Sequence, residues 1–311
     1  MTGKFYSNGK LLITGEYFVL DGAIALAVPC NFGQSLEVKQ TAGDVIAWTA
    51  LDHKGNEWFY TKLKLNRNKP ELLSSNPGEV ETRLLKILKE AHQLNPQILT
   101  SKHGFEVVSK LDFPQNWGLG SSSTLINNIA RWFEIDAYVL LEKTFGGSGY
   151  DIAAAQIDVP ITYSNLKGKR NILKVPFDPG FKDQLFFVHL NLKQDSRESI
   201  GRYRKVSKEH LEENILKFSS LTQRFISCID INEFQLLIEI HEKLVSTIIQ
   251  TPRIKPSHFP DFPGAIKSLG GWGGDFILAT GGEDEKNYFK DKGYNTILTY
   301  EEMVKKSPTA P

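Results

Sequence analysis

The chain has 311 residues, of which 41% are hydrophobic and 23% charged, as is typical of a globular protein with two packed domains. Its 37 basic and 36 acidic residues give a formal net charge of +1, so we expect no general attraction to nucleic acid or to membranes. No apolar run approaches the roughly 20 residues of a membrane span, and the polar N-terminus lacks an apolar signal core. The two cysteines, Cys30 and Cys228, lack zinc-ligand spacing. These features predict a cytoplasmic protein with reduced thiols.

The first part of the chain predicts strands followed by helices. Strand-like stretches cover 11–14, 23–28, 35–40, 45–49, 58–62 and 105–109, with a hairpin turn at Lys54-Gly55-Asn56. Helical spacing of apolar residues covers 78–94. Further helices are expected to begin in the serines after Gly120, at Asp136 as a cap, and at Asp151. The helix capped by Asp136 should end at Gly146-Gly147.

The pattern changes after a predicted strand over 161–163 and a polar stretch over 165–170. Strands are then predicted over 185–190, 276–280 and 296–299, and helices over 208–228, 232–247 and 283–290. Strands and helices mixed in this way indicate a second α+β layer. We therefore expect an α+β protein with two domains, residues 1–170 and 171–311.

A glycine- and serine-rich loop, Gly118-Leu119-Gly120-Ser121-Ser122-Ser123, is the first candidate site. Its glycines let backbone N–H groups approach an anion without a Cβ in the way. Its serines would open a helix, whose N-terminal N–H groups favour phosphate. The loop matches neither the Walker A pattern nor the dinucleotide-binding fingerprint. By itself it is equally consistent with a glycine turn followed by an ordinary serine cap.

Other enzyme classes fit the sequence poorly. The GxSxG pattern of a hydrolase nucleophile does not occur. His241-Glu242 begins like the zinc motif HExxH, but Val245 occupies the position of the second histidine.

Three further segments give the phosphate loop its context. GKLLITGEYFVLDG begins at Gly9, GSGYDIAAA at Gly147 and GGWGGDF at Gly270. Together with GLGSSS, and in this order, they resemble the motifs of the GHMP kinase family, which includes galactokinase, homoserine kinase, mevalonate kinase and phosphomevalonate kinase. The mevalonate-pathway branch is the most similar. GEYFVLDG and GSGYDIAAA resemble phosphomevalonate kinases more than sugar kinases, and Tyr17 stands where mevalonate kinases usually have histidine.

The resemblance implies a fold, a cofactor and a reaction. The fold would be an N-terminal domain like domain 2 of ribosomal protein S5, followed by a ferredoxin-like C-terminal domain. The reaction would be ATP-dependent phosphorylation of mevalonate or phosphomevalonate in isoprenoid biosynthesis, with Mg²⁺ as the metal. The ATP phosphates would be held by Gly118, Leu119, Gly120, Ser121, Ser122 and Ser123, together with Gly271, Gly273 and Gly274. Ser122 is the best candidate for a contact to Mg²⁺.

The same resemblance assigns catalytic and acceptor-binding residues. Lys10 would stabilise the transferring phosphoryl group, and Asp151 would accept a proton from the acceptor hydroxyl or orient Lys10. A phosphate acceptor is already anionic and needs no base, so Asp151 is more useful with mevalonate, and both acceptors stay open. The acceptor would contact Glu16, Tyr17, Ser148, Gly149 and Arg197.

Two features depart from the family pattern. The interval between Ser123 and Asp151 is short, so a helix that usually supplies an acidic Mg²⁺ ligand would be trimmed, and Glu142 is the candidate substitute. Trp272 stands in a loop of otherwise small residues, where it would narrow the phosphate site or pack beside the adenosine. Either departure would suit a catalytically degenerate protein that only binds nucleotide, or a kinase for another small hydroxy acid or sugar. A homodimer is a further open alternative.

Overall fold

The computed structural model describes residues 2–100, 102–192, 196–206, 209–270, 272 and 274–306. The chain divides into two compact units that interleave along the sequence. The first contains Met1–Gly9, Phe32–Gln115 and Leu119–Gln156, and the second contains Lys10–Asn31, Asn116–Gly118 and Ile157–Pro311. These bounds differ from those of the two predicted domains, 1–170 and 171–311. The division into domains at residue 170 stays a prediction.

The first unit combines a sheet with the helices that pack on it. The elements in chain order are β1 (Gly3–Thr14), β2 (Ala25–Ala42), β3 (Val45–Leu51), β4 (Glu57–Asn66), β5 (Lys69–Leu72), α1 (Glu79–Leu94), β6 (His103–Leu111), α2 (Ser121–Phe133), α3 (Ala137–Thr144) and α4 (Tyr150–Gln156). The strand order is β5-β4-β3-β6-β2, and β3 with β6 is a parallel pair. The strands β1 and β2 each pass from one unit into the other along the chain.

The core of the first unit follows from the periodicity of its elements. On β4, Thr61, Leu63 and Leu65 are buried and the residues between them are exposed, as expected for a strand with one face in the core. The rings of Phe105 and Trp132 meet edge to face with centroids 5.5 Å apart in this core. Burying each such ring stabilises the fold by about 2–3 kcal/mol.

The second unit contains the rest of the chain. Its further elements are β7 (Ile161–Leu166), β8 (Lys169–Lys174), β9 (Leu185–His189), α5 (Ser196–Arg204), α6 (Leu211–Ser227), α7 (Ile231–Ile249), α8 (Ile254–His258), β10 (Ile266–Ser268), β11 (Phe276–Thr280), α9 (Glu283–Asp291), β12 (Ile297–Thr299) and α10 (Tyr300–Met303). β7 pairs with the first part of β2, and β8 with β7. A separate antiparallel sheet has the order β10-β11-β9-β12. The predicted α+β class is confirmed.

Several elements differ from the predicted ones. The predicted strands 23–28 and 35–40 are one strand, β2, because its backbone pairing continues from 25–27 to 34–42. The stretch 165–170 forms the turn of the β7–β8 hairpin, where Lys167 and Gly168 have φ of 51° and 81°, as in a type I′ turn. The helix predicted from 208 begins at Leu211, and Lys208 lies outside the described residues. Across the described ranges, no helix is both long and apolar enough to cross a membrane.

Candidate active site

The predicted phosphate loop opens α2, as its serines suggest. Gly120 precedes the helix with φ 90° and ψ 39°, a left-handed conformation that glycine adopts without strain. The N–H of Thr124 bonds to the C=O of Gly120 at 3.0 Å. Helix geometry therefore leaves the N–H groups of Ser121, Ser122 and Ser123 without acceptors inside α2. These groups and the helix dipole favour an anion at this end of the helix.

The hydroxyl groups at the start of α2 have different surroundings. Ser123 is buried and its Oγ donates to the C=O of Gly120 at 2.8 Å, so this serine closes the turn. Thr124 is also buried and donates to Gln34 Oε1 at 2.7 Å. Ser122 is exposed. Of the three serines of the loop, Ser122 is therefore the one best placed to meet a ligand from solvent.

Asp151 lies in the first turn of α4, which packs against α2 in the first unit. The residue is half-buried. The predicted acceptor residues Ser148 and Gly149 are buried in the segment that leads into this helix. Ser148 Oγ accepts a long hydrogen bond of 3.5 Å from the N–H of Tyr150, so the serine supports the start of α4. The catalytic role of Asp151 stays a prediction.

The two predicted Mg²⁺ ligands fit unequally. Ser122 offers an exposed hydroxyl at the loop, whereas Glu142 is exposed on α3, whose buried residues are Ala137, Leu140 and Leu141. Among the residues that the structure describes, no group of three or more His, Cys, Asp or Glu side chains is arranged to hold a metal. A Mg²⁺ ion here would take most of its ligands from nucleotide phosphates and water, which this ion commonly does. The role of Glu142 stays a prediction.

In the second unit, Lys10 lies beside the first residue of the loop. The side chain is buried, and its Nζ donates to the C=O of Gly118 at 3.4 Å. A small cleft contains both residues and is also lined by Trp117, Gly270 and Asp275. The predicted lysine and the predicted loop therefore meet at Gly118.

The downstream glycine-rich segment is described in part. Gly271 and Gly273 lie outside the described residues, and Gly274 immediately precedes Asp275 and β11. Trp272 is buried in a cluster with Tyr17 and Tyr203, and its Nε1 donates to the C=O of Pro252 at 3.2 Å. The expectation that Trp272 narrows the phosphate site or packs beside the adenosine stays a prediction.

Trp272, Tyr17 and Tyr203 line a second pocket with Arg202, Ile249 and Thr251. Tyr17 and Trp272 have φ of 63° and 59°, values that are rare for bulky residues and cost on the order of 1–3 kcal/mol. Such strain is often found at functional sites. Arg202 is exposed and adds a positive charge. The predicted acceptor residue Arg197 lies on α5, and its side chain is outside the described part of the structure.

Glu16, predicted to face the acceptor, is buried in a cluster of charged side chains. Lys267 Nζ donates to Glu16 Oε1, and His241 Nε2 lies 3.0 Å from Glu16 Oε2. Lys267 also lies 3.7 Å from Glu242 Oε1, and Ser268 Oγ donates to Glu242 Oε2 at 2.9 Å. The role of Glu16 as an acceptor contact stays a prediction.

The charges in this cluster are unevenly matched, with two carboxylates around one ammonium. Burial alone would raise the pKa of Glu16, but Lys267 and His241 outweigh that effect and hold the pKa below its usual value. Burial raises the pKa of Glu242 to about 7, against the attraction of Lys267. Burial, together with Lys267, lowers the pKa of His241. In the sequence, this charged cluster was indicated only by His241-Glu242, which does not complete a zinc motif because Val245 replaces the second histidine.

Comparison with known proteins bears on the fold. No family profile and no curated protein sequence matches the chain. Among solved structures, the mevalonate kinase of Methanococcus jannaschii has a TM-score of 0.70 at 16% identity, covering 99% of both chains. The phosphomevalonate kinase of Streptococcus pneumoniae, in complex with phosphomevalonate and AMPPNP, has a TM-score of 0.69 at 16% identity, covering 96% of this chain and 99% of that chain. The chain has the GHMP kinase fold.

A structure with a different acceptor is also similar. The galactokinase of Lactococcus lactis, complexed with galactose, has a TM-score of 0.66 at 11% identity, covering 98% of this chain and 95% of that chain. The resemblance predicted from the motifs is thus confirmed at the level of the fold. The enzymes named for these structures act in different reactions, so the similarity shows the fold alone.

Proposed function

We propose that this chain is an ATP-dependent kinase that phosphorylates mevalonate or phosphomevalonate. The observation that carries the proposal is the start of α2, where a left-handed Gly120 is followed by three serines. Ser122 is exposed there, and the first N–H groups of the helix favour an anion such as a nucleotide phosphate. The fold shared with kinases supports the same reaction.

Phosphoryl transfer requires a protein mainly to position groups and to balance charge. The N–H groups of the loop would hold the nucleotide phosphates, and Ser122 would contribute one ligand to the nucleotide-bound Mg²⁺. This ion would supply positive charge along the phosphate oxygens. Lys10, already within 3.4 Å of the Gly118 carbonyl, would balance charge on the transferring group.

The acceptor side is supported by the pocket at Tyr17, Trp272 and Arg202. A guanidinium beside aromatic rings suits an acceptor with a carboxylate or phosphate and a short apolar body. Both mevalonate and phosphomevalonate have these groups. Glu16 would contribute indirectly, because its buried pairs with Lys267 and His241 hold the turn that carries Tyr17.

Asp151 would act on the acceptor hydroxyl. For mevalonate it would receive the hydroxyl proton, whereas for phosphomevalonate the acceptor is already anionic and Asp151 would contribute orientation alone. Dependence of turnover on this carboxylate would therefore differ between the two acceptors.

A catalytically degenerate, nucleotide-binding protein is the second candidate. The observations in its favour are the short interval from Ser123 to Asp151 and the presence of Trp272 in the downstream glycine-rich segment. This candidate predicts nucleotide binding without turnover.

Release of ADP in a coupled assay tests the proposal. The assay contains MgATP and, in separate reactions, mevalonate, phosphomevalonate, homoserine or galactose, with an acceptor-free reaction as control. We expect ADP release only with mevalonate or phosphomevalonate. Binding of ATP without turnover on any acceptor would favour the degenerate protein, and turnover with homoserine or galactose would refute the proposed acceptor.

A further inference from the structure

Asp275 is a buried carboxylate that the roles above do not use. It is 6% exposed and adopts a left-handed φ of 55° just before β11. A Cβ placed on Gly118 would lie 2.4 Å from both Cγ and Oδ2 of Asp275, and one placed on Gly270 would lie 2.9 Å from Oδ2. The carboxylate is therefore packed directly against the backbone of two glycines, Gly118 and Gly270.

The backbone of Asp275 is anchored on both sides. Its N–H donates to the C=O of Leu192 at 2.7 Å, and its C=O accepts from the N–H of Leu190 at 2.8 Å. These bonds tie the residue to the end of β9, so the carboxylate is presented from a fixed support. The anchored backbone also holds the Cβ of Asp275 beside Gly118, since a Cβ on Gly118 would lie 2.9 Å from it.

A lysine lies in the same cleft as this carboxylate. An ionised group is costly to bury without a partner of opposite charge. Lys10 lines the same cleft and donates to the carbonyl of Gly118, the residue on which the carboxylate packs. Lys10 and Asp275 therefore both lie against Gly118, the first residue of the phosphate loop.

We propose that Asp275 is a positioning residue that holds Gly118 against Gly270 and thereby fixes the start of the phosphate loop and the ammonium of Lys10. Gly118 is then a glycine because a side chain would displace this carboxylate, which is a different reason from the close approach of phosphate. Gly118 also has φ 65°, which glycine tolerates best. The effect on phosphoryl transfer rests on the proposed function, whereas the packing of Asp275 on Gly118 does not.

A double-mutant cycle tests the packing without any nucleotide. The variants are Gly118→Ala, Asp275→Ala and the double variant, compared with wild type by urea unfolding. Gly168→Ala is the matched control, because Gly168 has φ 81° and open space around a Cβ.

We expect Gly118→Ala to lower stability more than the control. The double variant should lose less than the sum of the two single losses, since removing the carboxylate makes room for the methyl group. Additive losses, or equal losses for Gly118→Ala and Gly168→Ala, would overturn the packing argument.

Asp275→Asn tests positioning, because the amide keeps the shape and removes the charge. We expect kcat to fall on the order of 10- to 100-fold, while Kd for MgATP stays within about threefold, because removing a negative charge from the cleft does not weaken attraction for phosphate. Asp178→Asn, an exposed aspartate paired with Lys182, should leave both constants unchanged. Amide hydrogen exchange of a peptide covering 116–120 should be faster in Asp275→Asn.

The two readouts separate the positioning role from the kinase activity. Unchanged exchange in that peptide, or a lower melting temperature with unchanged kcat, would overturn the positioning role. A wild-type protein without turnover on any acceptor would instead refute the proposed function, and the exchange experiment and the double-mutant cycle would still decide the role of Asp275.

Discussion

Replacement of Glu242 by glutamine should remove a loss of folding stability that wild type undergoes as pH rises towards 7. In the folded protein, burial raises the pKa of Glu242 from its ordinary 4.5 to about 7. Between these values the folded protein keeps a proton that the unfolded chain releases, so the free energy of unfolding falls as pH rises. Above pH 7 both states are ionised and the loss is complete. One pKa unit corresponds to about 1.4 kcal/mol, so the full shift corresponds to about 3 kcal/mol.

Two other titratable groups of the cluster, Glu16 and His241, also affect how stability depends on pH. The lowered pKa of Glu16 gives stability that is present above pH 4.5 and is constant from there to pH 8. The pKa of His241 lies below 6.5, so its unfolded form takes up a proton that the folded ring does not. This raises stability as pH rises towards 6.5, opposite to Glu242. Because His241 is present in both proteins, its effect cancels in the difference between wild type and Glu242→Gln.

The assay is urea unfolding of wild type and Glu242→Gln at several pH values from 5 to 8. Relative to the variant, wild type should lose on the order of 3 kcal/mol across this range. Glu239→Gln is the matched control on the same helix, because Glu239 makes a half-exposed pair with Arg253. Parallel stability curves for wild type and Glu242→Gln would refute the reasoning, as would a wild type that gains stability over the variant when pH rises.

Three further substitutions test the site. Ser122→Ala should raise KM for MgATP and lower kcat by on the order of 10- to 100-fold; unchanged constants would remove Ser122 from the site. Asp151→Asn should lower kcat with mevalonate by about 10²- to 10⁴-fold, whereas near-normal turnover would exclude it as the base. Lys267→Met should destabilise folding by about 3–5 kcal/mol in urea unfolding, because it leaves Glu16 buried without its ammonium. A loss below about 1 kcal/mol would show that the buried pair contributes little.

Local signals in the sequence predicted many elements. Asp136 caps α3 as expected, accepting from the N–H of Tyr138 at 2.7 Å. The hairpin of β3 and β4 is confirmed, with Gly55 in the left-handed conformation at its turn. In both cases one residue type determines a nearby turn or helix start, and no distant partner is needed.

Elements without an apolar pattern were missed for an equally physical reason. β8 is exposed along almost its whole length, so its sequence KRNILK shows no alternation. The sequence of α5, SRESIGRYR, is mostly polar and carries no helical apolar stripe. Secondary structure in such segments depends on neighbours in space, which the residue pattern does not encode.

The same limit applied to the candidate site. The motifs indicated the loop, Lys10 and Asp151 as candidates because each lies in a short segment that resembles a motif of the family. The pair of Glu16 with Lys267 joins residues 251 positions apart, and the packing of Asp275 on Gly118 joins two of the motifs themselves. Because these contacts join residues that are far apart in sequence, the motifs did not show that Glu16 is buried beside Lys267 or that Gly118 packs on a carboxylate.

Interleaving of the two units has a consequence for synthesis on the ribosome. Every segment of the first unit has been made once Gln156 has been added, and domains generally fold in this vectorial order. The segment Lys10–Asn31 is made earlier but belongs to the second unit, which needs the chain from Ile157 onward. Until then Phe18 and Leu26, fully buried in the finished protein, lack their later partners. The nascent chain therefore exposes apolar side chains of Lys10–Asn31 at this stage, when chaperones that shield such surfaces would act.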